Sequence, residues 1–394
     1  MKTLWIRWVG AICFAWAAAP LAAQGQVQGQ AQVTSPAPVQ QPAASYSAQV
    51  ATEWFSLALQ LTQQTPGFSP PVASRALAYL GLTLYESVVP GMPQHRSLAG
   101  QLNELQSLPW AQPDEVLHWP TVANAALADM TRMMFPNASA ENKARIDLLE
   151  RSLPLKLARD FDPSRVTPEI TNRSETFGKL MAMAIMTWAR TDGGHEAWGP
   201  LRRHQLNYVP PSGEGTWSAT PPAFAPPLLP WWGDVRPFAL PSATTCPAPP
   251  IPAYSEVPGS AFYKEAEEVY RISNQATQAQ RQVALYWADD PLKTPTPAGH
   301  WAFIAGDLLQ QRQGNLALAA QTYVQLNLAM ADAFIAGWKT KYTVNLLRPV
   351  TYVQLVLDSN WVPSLMHTPP FPEYPSGHSV QSSAAAAVLD KVFG

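Results

Sequence analysis

Apolar residues recur at three- and four-residue spacing along most of the chain after Ala48. The first such segment carries Val50, Trp54, Phe55, Leu57, Ala58 and Leu61. This spacing gathers the side chains on one face of an α-helix, whereas few stretches alternate with the period of two that predicts half-buried strands. We therefore predict an all-α fold, a multi-helix bundle of about ten helices with long proline-rich loops.

Proline and glycine delimit the individual predicted helices. After the first segment, the predicted helical ranges are 72–89, 114–134, 139–159, 171–189, 259–287, 297–311, 315–338 and 377–392, with a short helix from Pro349. The stretch at 193–258 instead is dense in proline, glycine and tryptophan, and so long a helix-free stretch is typically disordered or functional. Its aromatic residues favour packing on the helices, as a lid or wall of a cleft or as structural padding.

The first 47 residues differ from the rest in composition. Two basic residues precede an apolar run at 9–19, which is too short for a stable membrane span and is followed by small residues. We predict a secretory signal peptide over 1–23 and expect the protein in the periplasm or secreted. Residues 24–47 are uncharged and rich in Gln, Ala, Pro and Ser, which predicts a disordered tether before a helical domain at 48–394.

Charge and cysteine content exclude two other kinds of chemistry. The formal net charge is −2, so no basic surface predicts nucleic-acid binding. Of the two cysteines, Cys13 falls in the predicted signal peptide and leaves Cys246 alone. We therefore expect neither an internal disulfide nor a cysteine metal site.

The residues that bind tetrahedral oxyanions in proteins occur together near the end of the chain. Lys341 and Arg348 are seven positions apart, which on one helix is close to two turns and would let both face the same way. Ser376 offers a hydroxyl, and Gly377 offers a backbone N–H at a predicted helix start, where anions bind favourably. His378 follows and could transfer a proton. A Lys–Arg pair alone is typical of a solvated face, but five such groups favour an oxyanion site.

Two of these segments resemble known signature motifs. Residues 341–349, with the pattern Lys-x6-Arg-Pro, and 375–378, Pro-Ser-Gly-His, resemble the first two motifs of the type-2 phosphatidic acid phosphatase and vanadium-dependent haloperoxidase superfamily. Residues 75–86, 287–290 and 297–301 are similar to exported bacterial proteins related to vanadium chloroperoxidase. The resemblance covers most of the chain after the tether and implies the all-α fold of those enzymes.

The resemblance implies a role for each residue. The oxyanion would be bound by Lys341, Arg348, Ser376 and Gly377. In haloperoxidases this oxyanion is the cofactor vanadate. In phosphatases, which need no cofactor, it is the phosphate group of the substrate. His378 would be the general acid–base residue, assisting peroxide activation in the first case and protonating the leaving alcohol in the second.

Three further residues take their roles from the chloroperoxidase branch. Trp338 and Phe371 stand at the offsets of a Trp and a Phe that line its halide pocket, although both are also suited to core packing. Asp290 is matched with an acidic residue that orients an active-site group.

The superfamily's third motif, Ser-Arg-x3-Gly-x-His, supplies the histidine that binds vanadium or attacks phosphorus. The segment from Arg190 to His195 resembles this pattern, but it is one residue short and precedes the first two motifs in the chain. Its glycines are more simply explained as the end of a helix. We therefore expect the direct histidine ligand after Gly394.

Three functions follow as alternatives. The first is vanadate-dependent oxidation of halide by hydrogen peroxide, and the second is phosphomonoester hydrolysis through a phosphohistidine, since vanadate and phosphate share shape and charge. The third is an anion-binding or interaction protein without activity. Lipid phosphatase activity is not favoured, because no membrane-spanning helix is predicted. The resemblance leaves a homodimer open.

Overall fold

Eleven α-helices form the regular structure of the residues that the computed structural model describes, which are 40–157, 159–161, 166–199, 207–364 and 367–394. They are α1 (Gln49–Gln64), α2 (Pro70–Val88), α3 (Trp119–Met134), α4 (Ala140–Lys156), α5 (Pro168–Ala189), α6 (Ala261–Gln275), α7 (Gln278–Tyr286), α8 (Thr296–Gln311), α9 (Leu316–Val344), α10 (Pro349–Val356) and α11 (Gly377–Phe393). Within those ranges no strand forms, so the all-α prediction is confirmed. None of the described helices is long and apolar enough to cross a membrane.

Helices α2 and α9 form the centre of the molecule. Of the 19 residues of α2, all but Pro70 are buried, including the charged residues Arg75 and Glu86. Helix α9 has 29 residues, which corresponds to a length of about 43 Å, and it packs against both α2 and α11. The α2 and α9 backbones approach closely at Gly81, where a Cβ atom would lie 2.7 Å from the carbonyl oxygen of Tyr323. Only glycine permits this approach.

The predicted disordered tether at 24–47 includes residues that contact the helical domain. The Gln40 side chain donates a hydrogen bond to the Leu117 carbonyl (2.9 Å). Ala43 is fully buried in a short 3-10 turn, and Leu316 N–H donates to the Tyr46 carbonyl (2.9 Å). Residues 40–47 therefore contact the domain through these hydrogen bonds and the buried side chain of Ala43. The remainder of the tether and the predicted signal peptide lie outside the described residues.

The described parts of the proline-rich stretch, residues 193–199 and 207–258, contact α9 at several points. The Asp332 carboxylate on α9 accepts hydrogen bonds of 2.6 to 2.9 Å from the backbone N–H groups of residues 238–240. Nearer the end of α9, the Trp338 indole N–H donates to the Leu228 carbonyl (3.2 Å). These contacts join the stretch to the helix that carries the candidate site.

Candidate oxyanion-binding site

Lys341 and Arg348 lie on two different elements, which corrects the prediction that one helix carries both. Helix α9 ends at Val344 because Asn345 adopts a left-handed conformation (φ 53°). Arg348 precedes Pro349, the first residue of α10, and is extended (φ −81°, ψ 149°), as steric contact with a following proline requires. The two cations are instead brought together by the loop before α11.

Lys341 is a buried ammonium group whose acceptors among the described residues are backbone carbonyls. Its Nζ donates to the carbonyls of Pro372 (2.9 Å) and Glu373 (2.8 Å) and lies 4.9 Å from the centre of the Phe371 ring. Burial, together with the nearby charge of Arg348, lowers the pKa of Lys341 to about 7, although Glu373 opposes the shift. The positive charge of Lys341 is thus poorly compensated by the protein.

Arg348 is also incompletely compensated. One terminal nitrogen lies 2.7 Å from Glu373 Oε2, but its Nε is buried and has no hydrogen-bond partner among the described residues. Burial lowers the pKa of Arg348, and Glu373 offsets this only in part. A buried donor without an acceptor costs about 1–3 kcal/mol, so the arrangement favours binding of an additional acceptor.

The start of α11 supplies the other predicted groups. Ser376 is the N-cap, and its hydroxyl oxygen accepts a hydrogen bond from Ser379 N–H (3.2 Å). The N–H groups of Gly377 and His378 are in the first turn, where no carbonyl of the helix is available to them. A Cβ atom on Gly377 would lie 4.0 Å from Lys341 Cε, so the lysine reaches this helix start. His378 is exposed at its edge.

The two aromatic residues predicted for the halide pocket lie beside these cations. The Trp338 and Phe371 rings are 5.1 Å apart, and the Phe371 ring centre is 5.4 Å from Arg348 Cζ. Trp338 is completely buried, as in core packing, whereas Phe371 is partly exposed. We refer to Lys341, Arg348, Ser376, Gly377 and His378 as the oxyanion site.

Asp290 does not contact the oxyanion site. Its carboxylate pairs with Lys293 (2.9 Å) at the surface. The buried acid is the preceding residue, Asp289, whose carboxylate accepts a hydrogen bond from His300 Nδ1 (2.9 Å). Asp289 and His300 line a separate cavity of about 760 Å³ that includes no residue of the oxyanion site. The sequence alone gave no means of distinguishing the two adjacent acids.

The segment of the upstream histidine that partly resembles the third motif has its ion pairs with residues outside the oxyanion site. His195 lies 3.7 Å from the Glu196 carboxylate, and Asp192 in the same segment binds Arg75.

Glu373 is a residue of the site that sequence reasoning missed. Its carboxylate binds Arg348, its carbonyl binds Lys341, and its N–H donates to the Leu346 carbonyl (3.0 Å). No spacing rule marks it, because its contacts depend on the convergence of three chain segments. No group of three or more His, Cys, Asp or Glu in the described ranges could hold a metal cation, whereas the donors gathered here suit an anion.

Comparison with known structures identifies the family. A crystal structure of a bacterial vanadium-dependent iodoperoxidase matches with a TM-score of 0.77 and 32% identity, over 90% of this chain and 83% of that one. The chain therefore belongs to the vanadium haloperoxidase superfamily, and the resemblance inferred from the motifs is confirmed.

Further comparisons agree on the fold. Apo-type and holo-type structures of bacterial vanadium-dependent chloroperoxidase match with TM-scores of 0.59 and 0.56, each at 17% identity. They cover 85% and 82% of this chain and 81% and 77% of their own, and at this identity they show the fold alone. Residues 353–394 match a family model described as the VCPO second helical-bundle domain. A search of curated proteins finds no match.

Proposed function

We propose that the protein is a vanadate-dependent haloperoxidase that oxidises halide with hydrogen peroxide. Halide, peroxide and one proton would give hypohalous acid and water. The observation that carries this proposal is the incompletely compensated positive charge of Lys341 and Arg348 beside the start of α11. Membership of the superfamily supports it, and the iodoperoxidase match makes iodide the first halide to test.

The oxyanion site fits vanadate in its donors and its charge. Arg348 Nε is a buried donor that needs an acceptor, Lys341 is a buried cation, and Gly377 brings a backbone N–H to a helix start. When bound, vanadate would supply peroxide coordination and activation. The resemblance also implies a direct histidine ligand from the superfamily's third motif, so the experiments below use protein expressed from its complete reading frame.

The residues of the oxyanion site would position the anion and transfer a proton to it. Lys341 and Arg348 would offset the negative charge of the oxyanion, and such contacts are stronger in a buried site than in water. Ser376 has a hydroxyl hydrogen to donate, since its oxygen already accepts from Ser379. His378 at the exposed edge would hold a proton and deliver it to an oxygen. Phe371 beside both cations is the proposed halide contact.

The test is vanadate-dependent formation of triiodide from iodide and hydrogen peroxide. The natural protein reconstituted with vanadate should show it, and phosphate should inhibit it by competing for the same site. His378→Ala should lower turnover by roughly 100-fold or more, while vanadium NMR still detects bound vanadate. Val283→Ala, an exposed position on α7, is the control.

Other results would assign another function. Vanadate-inhibited hydrolysis of a chromogenic phosphate ester, without triiodide formation, would identify a phosphatase. Absence of both activities in the natural protein would leave an anion-binding role. Loss of all vanadate binding in His378→Ala would contradict the acid–base role.

Export remains part of the proposal, with the protein in the periplasm or secreted. N-terminal sequencing of the mature protein should give Gln24 as its first residue.

A further inference from the structure

Glu373 places a negative charge beside cations that are otherwise suited to an anion. Its carboxylate oxygen Oε2 lies 2.7 Å from a terminal nitrogen of Arg348. Burial and the charge of Arg348 lower the pKa of Lys341, and Glu373 acts in the opposite direction. An oxyanion that binds Lys341 and Arg348 therefore meets a carboxylate as well as two cations. Two negative groups this close repel each other unless a proton lies between them.

The backbone holds Glu373 in this position. Its N–H donates to the Leu346 carbonyl (3.0 Å), and its carbonyl accepts from Lys341 Nζ (2.8 Å). The following residue is also fixed, because the Tyr374 hydroxyl donates to the Pro249 carbonyl (2.7 Å). The main chain at Glu373 is thus bonded to neighbouring segments, and we expect the carboxylate to remain at the site when an anion enters.

The geometry of Arg348 brings a bound anion next to this carboxylate. The nitrogens of a guanidinium group diverge from one carbon in one plane. One of them already bonds Glu373, whereas the buried Nε has no acceptor among the described residues. An oxyanion that satisfies the remaining donors of Arg348 would lie within a few ångströms of the Glu373 carboxylate. That side chain is 36% exposed, so it has room for a further hydrogen bond.

We propose that Glu373 makes the oxyanion site selective for oxyanions that carry a proton. An ionised carboxylate can only accept hydrogen bonds, so its free lone pairs would accept from a hydroxyl group of the bound anion. Vanadate and phosphate carry such a hydroxyl group at neutral pH, whereas sulfate has the same tetrahedral shape and none. Sulfate would bring bare oxygens against the carboxylate, and this contact is repulsive.

This inference rests on the oxyanion binding that the proposed function requires, and it concerns the choice of anion rather than the oxidation of halide. Glu373 would be a specificity-determining residue of the same site. Its carboxylate would reject a fully deprotonated dianion that Lys341 and Arg348 alone would attract.

The experiment compares two competing anions of similar size without turnover. Vanadate binding to the natural protein is measured by equilibrium dialysis at neutral pH and constant ionic strength, without halide or peroxide. Potassium phosphate or potassium sulfate is added as the competitor, and each inhibition constant is determined. Phosphate should bind at least about tenfold more tightly than sulfate, because only phosphate donates a hydrogen bond to the charged acceptor.

Glu373→Gln should remove this selectivity. The side chain keeps its size, and its amide can donate a hydrogen bond to a bare oxygen. Sulfate affinity should therefore rise, and the ratio of the two inhibition constants should fall by roughly the same tenfold factor. Glu373→Ala also removes the carboxylate and should lose the preference, which provides a second variant if the first folds poorly.

Asp234→Asn is the matched control for loss of a negative charge. Asp234 pairs with Lys339 (2.8 Å), and its side chain is 52% exposed. This variant should keep the natural ratio of the two inhibition constants, because Asp234 forms its ion pair outside the oxyanion site.

The outcomes separate this inference from the proposed function. Sulfate that competes as well as phosphate, or competition by neither anion, would overturn the proposal. An unchanged ratio in both Glu373 variants would also overturn it and leave the carboxylate only as a counter-ion of Arg348. Triiodide formation is measured separately. Selectivity that depends on Glu373, without triiodide formation, would support this inference and refute the haloperoxidase function, and triiodide formation without selectivity would do the reverse.

Discussion

Two buried arginines in this fold have opposite surroundings. The side chain of Arg75 on α2 is 8% exposed and that of Arg348 before α10 is 12% exposed. Both would carry a full positive charge in an apolar environment, which is unfavourable unless partners compensate it. The difference between their partners distinguishes a structural cation from one that is prepared for a ligand.

Arg75 is fully engaged by the protein. Its Nε and one terminal nitrogen donate to Asp192 (2.6 and 3.1 Å), and the same terminal nitrogen donates to the Ala189 carbonyl (2.7 Å). The Asp192 carboxylate also accepts from Tyr79 O–H (2.8 Å) and Gly194 N–H (2.7 Å). Burial by itself lowers the pKa of Arg75, but the attraction and hydrogen bonds of Asp192 and Tyr79 together outweigh burial and raise it.

Arg348 has one charged partner and a buried Nε with no acceptor in the described part of the chain. Burial therefore dominates and lowers its pKa, the opposite of the result at Arg75. In the described part of the chain, the counter-charge that acts on Lys341 beside it is the same glutamate. We infer that Arg75 stabilises the fold, whereas Arg348 and Lys341 remain available for an oxyanion.

The largest expected effect on stability concerns the buried ion pair of Arg75 and Asp192. Asp192→Ala leaves Arg75 buried without its counter-charge and should lower the free energy of unfolding by about 3–5 kcal/mol. Urea denaturation of the two proteins measures the difference. Asp234→Ala removes a surface partner of Lys339 and is the matched control, with an expected change of about 1 kcal/mol or less. A loss at Asp192 no larger than in the control would contradict the contrast between the two arginines.

The next effect concerns ligand affinity rather than stability. Arg348→Met should weaken vanadate binding by roughly 100-fold or more, since removing one oxyanion donor costs about 2.7–4 kcal/mol. Its unfolding free energy should change by less than about 1 kcal/mol, because a poorly satisfied buried charge is replaced by an apolar side chain. Equilibrium dialysis and urea denaturation measure the two quantities. Arg75→Met should instead lower the free energy of unfolding and leave vanadate affinity unchanged. Equal stability losses in both variants would refute the comparison.

A further effect, small for each pH unit, is the pH dependence of stability that Lys341 produces. Its pKa is about 7 in the folded protein against an ordinary 10.5, so between these values the unfolded chain binds more protons. The free energy of unfolding should therefore rise with pH in this window, by at most about 1.4 kcal/mol per pH unit from this group. Subtracting the same curve for Lys341→Met isolates the contribution.

Bound vanadate should reduce this slope, because the anion favours the protonated amine. By the same linkage, vanadate affinity should fall as pH rises above about 7. A difference curve that is flat between pH 7 and 10 would show that Lys341 is not the depressed amine.

The fold was predictable because helical periodicity and proline or glycine at helix ends are local signals, as in α2 and α9. The site was predictable only as a set of residue types. Spacing placed Lys341 and Arg348 on one helix, but the left-handed Asn345 and the proline after Arg348 end that helix between them. Glu373 was missed because its contacts exist only when three segments converge.

The smallest effect concerns the acid that sequence matching placed in the site. Asp290 pairs with Lys293 at the surface, and exposed pairs contribute about 0–1 kcal/mol. Asp290→Asn should therefore change neither stability beyond that range nor vanadate affinity. Asp289→Asn removes a buried partner of His300 and should cost more stability, again without weakening vanadate binding. If Asp290→Asn alone lost vanadate affinity, measured by dialysis, Asp290 would belong to the oxyanion site. The site would then include a residue that carries no unsatisfied buried charge.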